Sequence, residues 1–363
     1  MREKRTLLYL LILSTFFIAM MALLASAETP SHSGARASAL YSPGTKSFLY
    51  SKNADQKLPM ASTTKIVTAL IAIESLDFKE VIKVPKEAVG VEGSSLYLKE
   101  NDELTAEDLI YSVLLQSAND AATVLALRIS GNIENFADKM TQRVREIGAL
   151  DTSFQNPHGL DAKEHYTTAH DLSLIAAEAL KNESFKKICS TYKYTFKLGE
   201  ETRTVVNHNK LLKSYDGCIG VKTGFTKKCG RCLVSAAEKN GVLLVAVTLD
   251  DPDDWRDHRN MLDYGFESLM CVDLNELVTL PEFIPTVSKD GAKVKIKLSQ
   301  SKLTKLVNDD IDYSIDLPYY IAKDVKQGDK LGEVTITIED RIEKIDIVAT
   351  NDVKIKQTTR RFL

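Results

Sequence analysis

The sequence predicts an α+β fold, an antiparallel sheet flanked by helices and followed by a small all-β domain. Three observations carry that expectation. Strand-like segments open the chain, helical patterns fill its middle, and strands with one closing helix return before residue 271, as expected of one sheet built from both ends with helices on its faces. Asn240-Gly241 stands between two apolar runs, a strong hairpin turn that makes those runs antiparallel neighbours. Beyond Cys271 the chain changes to short alternating segments joined by polar turns, the texture of a β-rich domain.

The first 27 residues stand apart from the fold. Arg2, Lys4 and Arg5 form a basic start, Thr6 to Leu24 carry no charge, and Ala25-Ser26-Ala27 supply the small residues of a cleavage site before Glu28, so residues 1–27 are expected to be a signal peptide. Nineteen uncharged residues nearly span a hydrocarbon layer of ~30 Å, so an uncleaved anchor is the competing fate after export. A first domain is expected over 30–271 and a β-rich domain over 272–363.

Within the first domain, Ala39 to Tyr50 reads as two strands around Ser42-Pro43-Gly44. Ile66, Val67, Leu70, Ile71 and Ile73 recur at helical spacing from Ser62 to Ser75, with Ala61 or Ser62 as the cap. Residues 106–130 suggest two helices that meet near Gln116 to Asn119, and further helices are expected over Ile133 to Ile147 and Ala169 to Leu180. Strands follow at Tyr192 to Leu198, Cys218 to Lys222, Arg231 to Ala236 and Val242 to Leu249, then a helix over His258 to Leu269. In the second domain the strand candidates are Ala292 to Leu298, Tyr313 to Ile315, Lys330 to Ile338 and Lys344 to Val348.

Composition narrows the function classes. A chain of 363 residues that is 44% apolar and 27% charged is an ordinary packed protein, which excludes collagen, a multi-span membrane protein and a disordered chain. Its 47 basic and 50 acidic side chains give a net charge of -3, so no global positive field exists and nucleic acid is not the expected partner. Five cysteines spread over a long chain do not form a disulfide framework, and their odd number leaves at least one unpaired thiol, expected in the core.

Ser62-Thr63-Thr64-Lys65 places a hydroxyl and an amine one helical turn apart, and serine needs such a neighbouring base before it attacks. The spacing by itself is common: Ser184, Ser190 and Ser299 also begin a Ser-x-x-Lys. Only Ser62 is followed by Ser117-Ala118-Asn119 at a helix junction and then by Lys222-Thr223-Gly224 on a strand, and the Lys-Thr-Gly tripeptide occurs once.

These three elements, with Pro59-Met60-Ala61, Asp120-Ala121-Ala122, Asn156-Pro157-His158-Gly159-Leu160-Asp161, Gly220-Val221 and Leu262-Asp263-Tyr264-Gly265-Phe266, make the chain similar to the serine-type D-alanyl-D-alanine carboxypeptidases, the low-molecular-mass penicillin-binding proteins. The resemblance covers residues 35 to 270 closely and the β-rich part loosely. It implies a β-lactamase/transpeptidase-like fold and an enzyme of the cell wall, exported to the periplasm or the outer face of the cell membrane. The implied activity is removal of the terminal D-alanine from peptidoglycan stem pentapeptides, with acylation by β-lactams and without cofactor or metal.

Carried over by residue, Ser62 is the implied nucleophile and Lys65 its base, which must titrate about 3 units below the ordinary ~10.4 to act near neutral pH. Burial and the charge of Lys222 are the expected causes. Ser117 would pass the proton to the departing amine, and Asn119 would fix Lys65 and the substrate amide. Lys222 and Thr223 would hold the terminal carboxylate, Ser62 and Phe225 would offer their backbone N–H groups as the oxyanion hole, and Gly224 would leave room for substrate.

Other residues are weaker candidates. Glu164 is expected to be a solvated loop charge and His158 a structural residue. Arg256 and Arg259 are both open as an arginine near the carboxylate. Cys229-Gly230-Arg231-Cys232 has the spacing of a redox or zinc half-site, but no second ligand pair accompanies it and it opens no helix, so a loop cysteine and a buried strand cysteine are expected, with a disulfide as the lesser alternative. Relatives often end in a membrane-lying helix; here Val353 to Leu363 offer Lys354, Lys356, Arg360, Arg361, Phe362 and Leu363, enough for contact with anionic lipid but too short for a stable helix. A β-lactamase or D,D-endopeptidase is the rival enzyme, and a non-catalytic peptidoglycan-binding scaffold is the rival outside catalysis.

Overall fold

The computed structural model describes residues 33–356, so the expected signal peptide and the tail residues Arg360, Arg361, Phe362 and Leu363 lie outside the described residues. The chain divides into two units. The larger runs to Glu267 without residues 44–46 and 238–243, which belong with Ser268–Leu363 in the smaller.

The larger unit opens with the hairpin of β1 (Ala37–Ser42) and β2 (Ser47–Lys52). A single 3-10 turn, Ala61–Thr64, leads into α1 (Lys65–Ser75), whose first eight residues are all buried, as befits a helix surrounded by others. A ribbon of β3 (Val81–Lys83) and β4 (Glu103–Thr105) precedes α2 (Ala106–Tyr111), which widens into a π-helical turn, Ser112–Gln116. There the helix breaks: Ser117 has φ 63°, and α3 (Asn119–Ser130) starts afresh. α4 (Ile133–Ile147), α5 (Ala169–Ala179) and α6 (Glu183–Ser190) follow, capped by the side chains of Asn132, Thr168 and Asn182.

A second ribbon, β5 (Lys193–Leu198) and β6 (Glu201–Val206), and the short α7 (Leu211–Ser214) lead to β7 (Cys218–Thr226), β8 (Gly230–Lys239) and β9 (Val242–Leu249). The main sheet has the order β2-β1-β9-β8-β7, joined by the antiparallel pairing of β1 with β9 from Ala37 opposite Leu249 to Tyr41 opposite Val245. One sheet is thus built from both ends of the unit. Asn240 and Gly241 turn the last hairpin with φ of 51° and 80°, the two positive values that a type I′ turn needs. α8 (Asp254–Ser268) closes the unit.

Several expectations shift. α8 begins at Asp254 rather than His258, which places Arg256 in its first turn. Neither Ala61 nor Ser62 caps a helix, because the chain enters α1 through a 3-10 turn and no side chain accepts from it. α6 was not expected: its apolar face is only Phe185, Ile188 and Cys189, two turns that periodicity cannot separate from a loop.

The smaller unit begins at Ser268, ahead of the expected boundary at Cys271, because β10 (Leu269–Asp273) pairs with a strand of that unit. After it come α9 (Leu274–Leu277), β11 (Phe283–Pro285), β12 (Lys293–Leu298), β13 (Lys302–Leu306), β14 (Ile311–Asp316), β15 (Lys330–Ile338) and β16 (Arg341–Ala349). β10 pairs with β13, and the other five strands form a sheet of order β11-β12-β16-β15-β14 over a core that includes Val334, Ile336, Ile345 and Ile347. Val353 pairs with Val325 and Lys356 bridges to Asp290 at 2.9 Å, so the described part of the tail belongs to this unit. Among the described residues, no helix is long and apolar enough to cross a membrane.

Candidate active site

The nucleophile's turn is held by side chains from below. Thr63 Oγ1 donates to the Met60 carbonyl at 2.6 Å and Thr64 Oγ1 to the Ala61 carbonyl at 2.8 Å. His165 lies 2.7 Å from Thr64 Oγ1 through Nε2; because the Gln155 N–H donates to its Nδ1 at 3.0 Å, Nε2 carries the proton and donates. Burial first and the Lys65 charge second push His165 down to about 4, which keeps that tautomer neutral across the working range. Gly159 passes so close that a Cβ there would sit 1.9 Å from the Ala61 carbonyl oxygen, and its φ of 87° favours glycine as well.

On this turn Ser62 Oγ stands 3.0 Å from Lys65 Nζ. Lys65 is fully buried and donates its other bond to the His158 carbonyl at 2.6 Å. Burial, and after it the charge of Lys222, hold the Lys65 amine well below its ordinary range, against an opposing pull from Asp120. Lys222 is itself 1% exposed, pushed down to about 7 by burial, and donates to the Thr223 carbonyl at 2.9 Å. The Lys222 charge thus adds to burial in disfavouring protonation of Lys65.

Replacing Lys222 with methionine removes a cation beside Lys65, so the Lys65 pKa rises and the neutral base is lost at higher pH. The acid limb of the pH profile for β-lactam acylation is expected to move upward; a limb that stays in place would end the electrostatic role of Lys222.

The helix break presents Ser117 beside Ser62, and the next turn anchors a loop over them. The Asn119 N–H donates to the Ser94 carbonyl at 2.7 Å, and its side-chain amide donates to the Glu92 carbonyl. Asp120, 1% exposed, accepts from Ser95 Oγ at 2.6 Å and from the N–H groups of Leu96 and Leu98 at 3.0 and 3.1 Å. Asn119 does not bond Lys65, whose second acceptor is the His158 carbonyl; its Oδ1 is buried without a partner among the described residues.

A cleft of about 520 Å³ opens at Ser62. Its lining includes Ser62, Ser117, Thr223, Gly224 and Phe225 together with Lys210, Arg231, Asp254 and Trp255. Lys65 and Lys222 lie buried behind this wall. Lys222, expected against the substrate carboxylate, is buried rather than on this wall, where the cations are Lys210 and Arg231. Arg231 pairs with the buried Asp254 and lies 5.8 Å over the Trp255 ring. Arg256 instead pairs with Asp253 and Asp257 at 2.9 and 3.2 Å. Glu164 is exposed, and the His158 segment presents its carbonyl to Lys65.

Gly224 also packs closely against the nucleophile's turn. A Cβ there would lie 3.0 Å from the Ser62 nitrogen and 3.1 Å from Met60 O and Thr63 N, all backbone atoms of the nucleophile's turn. Gly224→Ala is expected to push β7 away from that turn and to slow acylation by about tenfold or more, since small misplacements of reacting groups are costly. Acylation rate and thermal midpoint measured together check this: an unchanged rate in a folded variant would contradict the close approach.

Sequence reasoning passed over Arg231, Asp254, Trp255, Lys210 and Asp120. Two signals were present. Trp255 is the single tryptophan of the chain, and Asp120 directly follows the Ser-x-Asn element.

Comparison with known proteins agrees with this geometry. The family model described as D-alanyl-D-alanine carboxypeptidase matches residues 25–253. The D-alanyl-D-alanine carboxypeptidase DacF of Bacillus subtilis (strain 168) is 31% identical over 337 residues, 88% of this chain and 86% of that protein. Among solved structures, penicillin binding protein 5 from Haemophilus influenzae superposes with a TM-score of 0.68 at 25% identity, covering 90% of this chain and 99% of that one. The Streptomyces K15 DD-transpeptidase does so with a TM-score of 0.63 at 31% identity, covering 66% and 99%. With the matched region spanning the nucleophile, the helix break and the Lys-Thr-Gly strand, the chain belongs to the D-alanyl-D-alanine carboxypeptidase family.

Proposed function

We propose that this D-alanyl-D-alanine carboxypeptidase trims the terminal D-alanine from peptidoglycan stem pentapeptides through an ester on Ser62. The observation that carries the assignment of Ser62 is its Oγ, 3.0 Å from the amine of a buried lysine at the mouth of the cleft. Neutral Lys65 takes the Oγ proton as the oxygen attacks the carbonyl between the two D-alanines. The N–H groups of Ser62 and Phe225 receive the oxyanion, and Ser117 passes a proton to the departing amine. Water then cleaves the ester, which frees the shortened peptide and Ser62. The unpartnered Oδ1 of Asn119 is an acceptor for a substrate amide N–H.

The leaving D-alanine carries a free carboxylate, and the cleft meets it with the Thr223 hydroxyl and the Arg231 guanidinium, a permanent cation suited to a carboxylate fork. Asp254 and Trp255 hold Arg231 in place. The basic, apolar and small-residue order of residues 1–27 supports work outside the cytoplasm, in the periplasm or on the outer face of the cell membrane.

The test is mass spectrometry of a synthetic stem pentapeptide incubated with the enzyme. Loss of one alanine residue, with free D-alanine in solution, is the expected result. An intact pentapeptide beside rapid β-lactam hydrolysis would favour a β-lactamase, and cleavage confined to crosslinked peptides would favour an endopeptidase. Cell-wall binding with neither reaction would favour a scaffold.

A further inference from the structure

We propose that Cys229 and Cys232 are a covalent modification site, a dithiol that closes to an intrachain disulfide in the wall of the acylation cleft. Their sulfurs lie 3.2 Å apart, and both residues are buried, at 3% and 1% exposure. A disulfide bond is ~2.0 Å long, so closure asks for a shift of about 1.2 Å. Both thiols face one acceptor, the Pro59 carbonyl, at 3.0 and 4.0 Å. The remaining cysteines are engaged elsewhere or apart: Cys189 donates to Lys186 and Ile219 carbonyls and Cys218 to that of Gly220, while Cys271 lies on β10.

Position gives this pair both access and consequence. Cys232 lines the cleft, so a small oxidant reaches it by the route that substrate uses. The pair brackets Gly230, whose φ of 69° turns the chain into β8, and Arg231, whose guanidinium stands on the cleft wall. Cys232 also faces Gly224 across the β7–β8 ladder. At the extracytoplasmic location proposed for this enzyme, thiol oxidants are present.

The chemistry is exchange with a small disulfide, RSSR. The Cys232 sulfur gives its proton to solvent and attacks one sulfur of RSSR; that S–S bond breaks, and RS⁻ leaves and is protonated. The Cys229 sulfur then loses its proton and attacks the Cys232 sulfur of the mixed disulfide, releasing the second RSH. Two protein thiols are oxidised and one RSSR is reduced to two RSH. The neighbouring Cys232 sulfur and burial both raise the Cys229 thiol. The bond removes freedom from the turn that carries Arg231.

Peptide mapping tests the site without reference to the reaction catalysed. The full chain is incubated with oxidised glutathione, denatured, alkylated without reductant and cut with trypsin. Cleavage after Lys228 and Arg231 separates the two cysteines, so the expected product is residues 229–231 linked to residues 232–239, two hydrogens lighter than the free peptides, with Cys189, Cys218 and Cys271 alkylated. In Cys229→Ser the glutathione adduct is expected to persist on Cys232. Five alkylated cysteines, or Cys229 joined to any partner but Cys232, would overturn the proposal.

The effect on Arg231 rests on its proposed contact with the substrate carboxylate. Dithiothreitol is expected to raise KM for the pentapeptide by about two- to tenfold with little change in kcat, the loss of one preorganised side chain, and to leave Cys229→Ser unaffected. A KM that does not respond once the bond is mapped would overturn that link, while β-lactam labelling in both states would show the catalytic reading intact.

Discussion

Ser62→Ala is expected to abolish labelling by a fluorescent penicillin and to lower D-alanine release by at least about 10⁴-fold, because the acyl group has no oxygen on which to form an ester. The fold has little reason to respond. Ser62 caps no helix, the turn is tied by Thr63, Thr64 and His165, and the one bond lost is that to Lys65, which keeps the His158 carbonyl. Three other serines stand at Ser-x-x-Lys spacing, so the outcome discriminates: Ser184 and Ser190 lie on α6 and Ser299 lies in the smaller unit, none of them on the cleft wall. Covalent labelling that survives the substitution, in a chain with an unchanged thermal midpoint, would sink the assignment of the nucleophile.

Lys65→Met should cost about 10³-fold in the rate of β-lactam acylation, the middle of the range for removing a general base. Its second signature is thermodynamic. Lys65 is fully buried and its pKa is lowered in the folded protein, so between that lowered value and the ordinary 10.5 the unfolded chain binds more protons than the folded one. Stability contributed at this site therefore rises with pH through that window and is lost as pH falls. Methionine has similar length and no charge to bury, so the variant should melt no lower than the parent at neutral pH and show a shallower dependence on pH below 10. A variant that kept its acylation rate would remove Lys65 from catalysis; one that lost rate and melted lower would point to a structural lysine. Calorimetry beside stopped-flow acylation separates these outcomes.

The contrast between Arg231 and Arg256 shows where sequence inference runs out. Arg256 and Arg259 invited attention because they lie near the closing helix, where similar proteins often carry an arginine by the substrate carboxylate, but a start at Asp254 turns Arg256 toward Asp253 and Asp257 and presents Asp254 to the cleft. Arg231 reaches that carboxylate from the neighbouring strand β8. A few residues of helix register decide which guanidinium faces the cleft, and boundaries are what periodicity resolves least. Asn119 teaches the same lesson, since the loop that takes its amide, Glu92 to Leu98, has no periodic signal at all.

By itself the sequence determined the broad strand, helix, strand order, a helix junction near Gln116 to Asn119, the Asn240-Gly241 hairpin and the family to which the motifs at Ser62, Ser117 and Lys222 point, because periodicity, turn chemistry and motif spacing are local properties that short stretches of chain carry. Tertiary structure decided what each group faces. Lys65 and Lys222 are brought together from an early helix and a late strand and lose their solvent, so both pKa values fall through burial and that of Lys65 falls further beside the Lys222 charge, which neither segment has alone. The same packing turns Lys222 inward, gives the cleft wall to Arg231, and sets the Cys229 and Cys232 sulfurs 3.2 Å apart. Solvation and distance belong to the folded chain, and they select which of the residues in a motif can act.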